Sequence, residues 1–350
     1  MRYKLYTTSK KTWDAMIDAI NHAKKSIYIE MYIFLDDNEK SHNFIGKLEQ
    51  KAREGARVII VVDAFGSKTL KNGTAQALIE SGAEILFFSH WLRHIHRKIL
   101  IVDEKIAFIG GVNIGKRFKN RNDLQLELRG GKIVKKILKS FAYSYAMSGG
   151  KNSKILKYRE KEFSGKFKFW LIEHFPAKNI YTLKNHYIEK ITNAKRSIQI
   201  ATPYFTPPRW LISLLDDAIE RGVSVEILIP KKGDWEIMNL INFRYMHNLY
   251  SLGIKFYLHG TMDDSKMNHS KLLIIDGEEG LLGSQNVDLF SFQLNSEAGV
   301  FFREKKLLRE LEQVVKKWKR NSVKFEPQKY KMKISDYIIL AILKIFKPIL

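Results

Sequence analysis

One short pattern of histidine, lysine and aspartate occurs twice in the chain and reads His-x-Lys-x-x-x-x-Asp both times. The two copies consist of His96, Lys98 and Asp103 and of His269, Lys271 and Asp276. Their offset is constant, because 269 − 96, 271 − 98 and 276 − 103 all equal 173. An imidazole can attack phosphorus or move a proton, and ammonium groups can neutralise phosphate oxygens, so the pattern indicates phosphodiester chemistry. The repetition favours catalysis over chance more strongly than one copy would.

Further polar residues follow each copy at matching distances. They are Asn113 and Asp123 after the first copy, and Ser284, Asn286 and Glu297 after the second. The amides would help to hold the phosphate oxygens, and the acids are placed to accept a hydrogen bond from an imidazole. One imidazole would form a phosphohistidine, while the other would protonate the leaving oxygen and then deprotonate the incoming alcohol or water. Together with the two copies of the pattern, these residues form the predicted catalytic set.

The elements that must position these residues occur in two related halves, because residues 23–29 recur as residues 194–200. The predicted elements are strand 26–34, helix 44–54 and strand 58–62 in the first half, and strand 197–205, helix 210–220 and strand 225–229 in the second. This alternation predicts an α/β fold with largely parallel sheets. Residues two apart on a strand share a face, so the His and Lys of each copy should point the same way. A pseudo-two-fold axis between the halves would then bring the two pairs together.

The predicted organisation has a basic linker and a basic tail besides the two halves. The divisions are an N-terminal half at 1–150, a linker at 151–174, a C-terminal half at 175–325 and an amphipathic tail at 326–350. From residue 337 onward the tail is apolar except for Lys344 and Lys347, which is too short a run for a spanning helix. Such a tail is typical of an interfacial membrane anchor, although a helix docked on the core or on another subunit fits equally well. Residues 1–16 hold no apolar run of signal-peptide or membrane-span length.

The composition is globular and strongly basic, with 60 Lys and Arg against 37 Asp and Glu and a formal net charge of +23. Such a field favours a polyanionic partner, and both nucleic acid and an anionic membrane surface qualify. The absence of cysteine excludes disulfides, thiolate zinc sites and a cysteine nucleophile. His94 and His96 could share a metal ion, but no third ligand clusters with them, so neither a metal nor another cofactor is predicted.

At these motifs the sequence resembles the phospholipase D superfamily, over nearly the whole chain to about residue 320. The resemblance implies a duplicated, phospholipase D-type α/β sandwich whose pseudo-two-fold-related halves share one active site, with no required metal. It implies supporting roles for Asp103 and Asp276. Asp123 and Glu297 would lie closer to the imidazoles, and His96 would be the nucleophile. The residues themselves leave the choice between the two histidines open.

Within that superfamily the chain is similar to the bacterial cardiolipin synthases. The segments that carry this similarity are 29–34, 96–115, 202–207 and 283–288. The similarity implies transfer of a phosphatidyl group from one phospholipid to the hydroxyl of phosphatidylglycerol or a similar acceptor. We therefore expect phospholipid substrates and a peripheral protein on the cytoplasmic face of an anionic membrane, held by its tail, with no obligate protein partner. Phe290 departs from the family pattern, since many relatives place an arginine there.

Other functions stay open on the sequence alone. The same site could cleave nucleic acid, whose backbone suits the positive charge and whose bases could stack on the aromatic residues interleaved with lysines at 166–170. Nucleic acid is a predicted partner only in that case. A hydrolytic phospholipase D would differ only in letting water replace the acceptor alcohol. A binding protein with a decayed site is disfavoured, because both histidines, both lysines and both asparagines are present.

Overall fold

The computed structural model describes residues 2–37, 40–71, 73–163, 168–263 and 266–330. Its strands form two sheets, one for each repeat. The first sheet contains β1 (Arg2–Thr8), β2 (Ser26–Met31), β3 (Arg57–Asp63), β4 (Glu84–Phe88), β5 (Lys98–Val102), β6 (Ile106–Gly110) and β7 (Asn122–Arg129). The second contains β8 (Phe169–His174), β9 (Ser197–Ala201), β10 (Ser224–Pro230), β11 (Lys255–His259), β12 (Leu272–Ile275), β13 (Glu279–Gly283), β14 (Glu297–Phe302) and β15 (Ser322–Lys324).

Helices cover both sheets. They are α1 (Ser9–Asn21), α2 (Phe44–Arg53), α3 (Thr74–Glu80), α4 (Gly131–Met147), α5 (Ser153–Leu156), α6 (Thr182–Thr192), α7 (Arg209–Glu220), α8 (Glu236–Tyr250), α9 (Leu289–Gln293) and α10 (Lys305–Arg320). Helix α1 buries Trp13, Met16 and Ile20 at helical spacing against the first sheet. Helix α2 ends just before Gly55, whose φ of 88° suits the left-handed residue that commonly follows a helix.

The two sheets share one topology, which confirms the duplication. The first has the strand order β1-β7-β6-β5-β2-β3-β4. Apart from the added β15, the second has the order β11-β10-β9-β12-β13-β14-β8, in which each strand is the counterpart of one seven strands earlier. The predicted α/β fold with two related halves is therefore confirmed.

The sheets are mixed, as predicted, but the prediction that they are largely parallel is wrong. Among the described strands, β2–β3–β4 and β9–β10–β11 pair in parallel, and the other pairings are antiparallel. The strand–helix–strand alternation holds only for the first part of each repeat. After β4 and β11 the chain continues in hairpins, where Asp103 and Glu104, or Asp276 and Gly277, adopt left-handed conformations with φ between 51° and 70°. Two consecutive residues of this kind are typical of a tight two-residue hairpin turn.

The predicted linker at 151–174 is wrong in one respect, because its last residues belong to the second sheet. Strand β8 pairs with β14, just as β1 pairs with β7. The second repeat therefore begins at β8, and α5 lies in the connection before it. Of the tail at 326–350, residues 331–350 lie outside the described residues, so the predicted anchor is not part of the fold described here.

A central apolar cluster joins the two sheets face to face. Side chains of both sheets, including Ile99, Leu126, Ile274 and Val300, pack together with α4 and α10. A further cluster lies on the outer face of each sheet, under α1–α3 in the first repeat and under α6–α8 in the second. Within the described ranges, no helix is long and apolar enough to cross a bilayer.

Candidate active site

The two histidine motifs meet at one edge of the paired sheets. Strand β2 ends where β5 begins, with Met31 opposite Lys98, and β9 and β12 repeat this arrangement. The carboxyl ends of parallel strands are a common place for ligands in α/β sheets. His96 and His269 come just before β5 and β12, and both line a pocket of about 1100 Å³ whose walls come from both halves.

Each histidine is held by the backbone of the other half. The His96 amide donates to the Ser296 carbonyl oxygen at 3.0 Å, and the His269 amide donates to the Asn122 carbonyl oxygen at 2.7 Å. The residue after each of these acceptors is one of the predicted acids. Main-chain pairing therefore carries each acid to the histidine of the opposite half.

The carboxylates are consequently exchanged between the halves. His96 Nδ1 donates to Glu297 Oε1 at 2.8 Å, and His269 Nδ1 donates to Asp123 Oδ2 at 2.8 Å. All four side chains are buried. With Nδ1 donating to a carboxylate, Nε2 of each ring carries the lone pair and is the nitrogen available to a substrate. The sequence predicted an acid for each imidazole, and the structure shows that each acid comes from the opposite half.

Hydroxyl groups orient one of these acids. Ser284 Oγ donates to Glu297 Oε2, and Ser291 Oγ donates to Glu297 Oε1 at 2.8 Å. Ser284 was predicted, because a Gly-Ser pair follows the second motif where a glycine pair follows the first, whereas no repeated pattern marks Ser291. Gly111 takes the place of Ser284 in the first repeat, where a Cβ atom would collide with the carboxylate of Asp123.

Two buried ammonium groups supply positive charge. Lys98 and Lys271 each donate to the backbone carbonyl oxygen of the histidine two residues earlier. Lys271 Nζ also lies 2.8 Å from Nδ1 and 3.0 Å from Nε2 of His269. Burial lowers the pKa of Lys98 well below its ordinary value and the pKa of Lys271 to about 8. A phosphate anion between them would favour the charged form of both.

The histidines are neutral in this environment and the acids are ionised. Burial lowers the pKa of His96 to about 4 and the pKa of His269 well below its ordinary value. Burial raises the pKa of Asp123 to about 6, which still leaves the carboxylate ionised at neutral pH. Burial acts to raise the pKa of Glu297 as well, but the His96 imidazole and a nearby lysine hold it below its ordinary value. A neutral imidazole can act as nucleophile or base, and a bound phosphate would favour its protonation.

Activity should fall as the pH rises above about 8. Burial lowers the pKa of Lys271 to about 8, so its ammonium charge is lost as the pH rises through that value. The basic limb of kcat/KM, which reports the free enzyme, should lie at or below that pH, because burial lowers the pKa of Lys98 as well. The basic limb of kcat should lie higher, because bound phosphate stabilises both ammonium groups. Initial rates on a soluble short-chain substrate between about pH 6 and about pH 10 check this, and a kcat/KM that stays flat across this range would contradict it.

The predicted asparagines line the same pocket. Asn113 is held by its backbone carbonyl oxygen, which accepts from Trp13 Nε1 at 3.0 Å, and by Oδ1, which accepts from the Ile33 amide at 3.4 Å. Asn286 Oδ1 is buried and has no hydrogen-bond partner in the described part of the chain. Amide N–H groups at these positions can donate to phosphate oxygens.

Two members of the predicted catalytic set lie outside the pocket. Asp103 and Asp276 follow β5 and β12, five residues beyond the motif lysines, which is roughly 16 Å along a strand. Asp103 accepts from the backbone amides of residues 24–26, and Asp276 from those of residues 195–197. These contacts tie each hairpin turn to the start of β2 or β9. The length of the strand therefore gives the aspartates a structural position, in agreement with the supporting role that the resemblance implies.

Replacing Asp103 or Asp276 by alanine should lower stability and leave kcat largely unchanged. Each variant loses several backbone hydrogen bonds and places alanine in a left-handed conformation, a cost of about 2–4 kcal/mol in the free energy of unfolding. Urea denaturation and initial rates check the two halves of this prediction. Asp18→Ala, on the exposed side of α1, is the matched control. A stably folded Asp103→Ala variant with a large loss of kcat would return this residue to the catalytic set.

A network that the sequence did not reveal lines the pocket beside the second histidine. Tyr204 Oη donates to Asp234 Oδ1 at 2.6 Å, and Arg121 Nη2 donates to Asp234 Oδ2 at 2.8 Å. The Arg121 guanidinium is buried and lies 4.5 Å from the centre of the Phe118 ring. Its charge contributes, after burial and the adjacent lysine, to the lowered pKa of His269. No repeat or spacing signal marks these residues, because their counterparts in the other half differ.

His94 also lines the pocket, and its ring is held by Asp63. Its Nδ1 lies 3.2 Å from both carboxylate oxygens of Asp63, which also accepts from the Ile95 amide at 3.0 Å. This contact fixes the segment that leads into His96. Within the described residues, no group of three or more His, Cys, Asp and Glu side chains could hold a metal ion.

Comparison with known proteins gives a family match along both repeats. A family model described as "Cardiolipin synthase, PLD-like domain" matches residues 16–145 and 187–318. The chain is 31% identical over 330 residues to a cardiolipin synthase of Listeria welshimeri, which covers 88% of this chain and 67% of that protein. It is 30% identical over 334 residues to a cardiolipin synthase of Clostridium perfringens, which covers 88% of this chain and 68% of that protein.

Solved structures share the fold. A phosphatidylserine synthase of Haemophilus influenzae matches with a TM-score of 0.77 and 15% identity, over 99% of this chain and 94% of that one. A polyphosphate kinase of Porphyromonas gingivalis matches with a TM-score of 0.65 and 17% identity, over 98% of this chain and 53% of that one. Because the family model covers both repeats and the curated relatives align along most of the sequence, the chain belongs to the family of phospholipase D-like proteins that includes the bacterial cardiolipin synthases.

Proposed function

We propose that this protein moves a phosphatidyl group from one phospholipid onto a hydroxyl of phosphatidylglycerol, as in cardiolipin synthesis, through a phosphohistidine intermediate. The observation that carries the proposal is the pair of neutral, carboxylate-bound imidazoles, His96 and His269, at one pocket. Two such rings allow nucleophilic attack and proton transfer to be divided between them. The buried Lys98 and Lys271 ammonium groups supply the charge that phosphate oxygens require.

The transfer takes place in two balanced steps. First, Nε2 of neutral His96 attacks phosphorus as the P–O bond to the donor headgroup breaks. His269, which takes up a proton when the anionic phosphate binds beside it, gives that proton to the leaving oxygen. Second, the acceptor hydroxyl loses its proton to His269 as its oxygen attacks phosphorus, and the P–N bond to His96 breaks. Both histidines return to their starting states, and the donor headgroup is released as glycerol when the donor is phosphatidylglycerol.

The surroundings of the two rings support His96 as the nucleophile. Its partner Glu297 is ionised and oriented by two serine hydroxyls, an arrangement that stabilises the positive charge the ring gains on bonding to phosphorus. His269 instead has Lys271 against its ring. A neighbouring ammonium disfavours a lasting positive charge on the imidazole, which suits a group that gives its proton away.

The pocket lining supports a lipid acceptor. Apolar and aromatic side chains form much of the wall, among them Leu35, Met238, Ile241, Tyr245 and Phe290. A pocket of about 1100 Å³ has room for a second headgroup beside the phosphorylated histidine. An acceptor held there competes with water through its effective concentration, which favours transfer over hydrolysis.

We place the protein peripherally on the cytoplasmic face of an anionic membrane, with the basic-apolar tail at 326–350 as one attachment. The supporting observations are the net charge of +23 and the basic stretch before the apolar residues of the tail. Deleting residues 335–350 should weaken binding to anionic vesicles. Unchanged binding of the shortened protein would remove the tail from this role.

The experiment that tests the function uses purified protein with phosphatidylglycerol vesicles and separates the lipid products by mass. Cardiolipin together with free glycerol is the expected result, and the double variant His96→Ala/His269→Ala is the blank. Phosphatidic acid alone would indicate hydrolysis instead of transfer. No lipid turnover, with cleavage of single-stranded DNA or RNA in parallel, would replace the proposal with a nuclease.

A further inference from the structure

We propose that the mouth of the pocket docks directly on an anionic phospholipid bilayer through four loops, here called the rim loops. They comprise residues 64–68, 89–95, 231–235 and 260–263. The inference rests on the proposed function, because a site that transfers phosphatidyl groups must receive lipids whose acyl chains stay in a membrane. Beyond that function, the inference identifies the face of the molecule that contacts the membrane and the side chains that enter the bilayer.

Large apolar side chains stand exposed on the rim loops. Their exposed fractions are 72% for Phe65, 82% for Trp91, 53% for Trp235 and 61% for Met262. Single exposed apolar residues are common, but several around one opening mark an interaction surface. Tryptophan in particular favours the headgroup level of a bilayer, because its ring is apolar and its N–H can stay hydrated.

The duplicated topology brings these loops to one edge of the molecule. Residues 64–68 follow β3 and residues 231–235 follow its counterpart β10, while residues 89–95 and 260–263 follow the counterparts β4 and β11. Strands β3 and β4 run parallel to each other, as do β10 and β11, so the carboxyl ends of these strands lie at the edge where the histidines meet.

Direct contacts connect the rim loops to the pocket. Phe65 and Trp235 line the pocket itself. The Phe65 ring lies 5.4 Å from the ring of His94, which is also part of the lining. Trp91 precedes His94 by three residues, so their Cα atoms are at most roughly 11 Å apart.

The rim loops also carry the charge that an anionic surface attracts. Their basic residues are Lys68, Arg93, Lys231 and Lys232, and none of these forms an ion pair in the described part of the chain. The acids Asp234 and Asp263 are instead paired, with Arg121 at 2.8 Å and Lys266 at 3.6 Å. Unpaired cations beside exposed aromatic rings complement a layer of phosphate headgroups.

The first test uses the full chain and vesicles of phosphatidylglycerol with brominated acyl chains, which quench tryptophan on contact. The chain has six tryptophans, of which Trp91 and Trp235 are more than half exposed. We expect the vesicles to quench wild-type emission, and we expect Trp91→Phe/Trp235→Phe to lose most of that quenching. Wild-type protein that binds the vesicles without quenching would overturn the proposal, because it would be docked through another surface.

The second test separates docking from chemistry. Trp91→Glu/Met262→Glu should bind phosphatidylglycerol vesicles about tenfold more weakly or worse. It should still turn over a monomeric short-chain phosphatidylglycerol as wild type does, because neither side chain lines the pocket. Ile79→Glu is the control, since it places a charge of the same sign at an apolar residue that is 50% exposed on α3, which leads into the start of β4 and not into its rim end. Equal binding by the rim variant and this control would overturn the proposal.

Two further outcomes distinguish the alternatives. Quenching by single-stranded nucleic acid, with no binding to vesicles, would assign the rim to a nucleic acid and overturn the membrane proposal. If brominated vesicles quench the tryptophans but the protein turns over no short-chain lipid, docking through the rim loops would be supported and the proposed function would be contradicted.

Discussion

Alanine in place of either His96 or His269 is expected to lower kcat by at least about a thousandfold, and the double variant should be little slower than the worse single one. The reason is that nucleophilic attack and proton transfer are parts of one reaction, so the loss of either ring stops the transfer. Both rings lie at one pocket with their Nδ1 atoms bound to carboxylates of the opposite half, whereas His94, which also lines the pocket, contacts Asp63 of its own half. Initial rates of lipid product formation with concentrated enzyme measure the loss.

The two single variants should differ when the covalent intermediate is trapped. A phosphatidyl ester of p-nitrophenol, labelled in its phosphate, needs no proton for its leaving group. It should leave acid-labile label on His269→Ala and none on His96→Ala. His186→Ala, a histidine on α6 outside the pocket lining, is the control and should keep its activity. The opposite pattern would make His269 the nucleophile, and substantial turnover by both variants would refute the paired mechanism.

Replacing either buried acid by its amide is expected to lower kcat by roughly a hundredfold to ten-thousandfold. In Glu297→Gln and Asp123→Asn the side chain has nearly the same shape but can no longer stabilise the Nδ1–H form of its histidine or the charge that develops on the ring. Steady-state kinetics give the magnitude. Nitrogen NMR of labelled histidine gives the cause, because Glu297→Gln should change the signals of His96 and leave those of His269 nearly unchanged.

A buried carboxylate from the same sheet provides the control for this experiment. Glu127 lies on β7, four residues after Asp123, and accepts a hydrogen bond from Tyr6 Oη at 2.6 Å. Glu127→Gln should alter stability and spare kcat, because Glu127 is not part of the pocket lining. If Glu297→Gln disturbed His269 in place of His96, the exchange of acids between the halves would be refuted.

The exchange of acids makes the site a property of both halves together. The hydrogen-bonded partners are 201 positions apart for His96 and Glu297, and 146 apart for His269 and Asp123. Each half by itself contains a histidine, a lysine and an acid, but the acid is aimed at the other half's ring. The shared apolar cluster between the sheets therefore supports the geometry of the site as well as stability, since it holds each acid within hydrogen-bond distance of its histidine.

The duplication, the kind of chemistry and many of the elements could be predicted from the sequence. The predicted helix 44–54 corresponds to α2, and the predicted strand 58–62 corresponds to β3, with boundaries that differ by one residue. Such elements are predictable because apolar periodicity is a local signal. The predicted strand 26–34 was too long, because the chain leaves the sheet after Met31 and its next residues, Tyr32 and Ile33, line the pocket.

Three features could not be predicted from the sequence. They are the assignment of each acid to a histidine, the orientation of Glu297 by Ser291, and the strand that the predicted linker supplies. The spacing in the sequence would be the same if each acid bound the histidine of its own half. The choice is made by contacts between distant segments, where Asn122 pairs with Asn268 and Ile95 pairs with Ser296. Spacing along a chain records local geometry, whereas these pairings depend on how two sheets pack against each other, and that packing is distributed over the whole core.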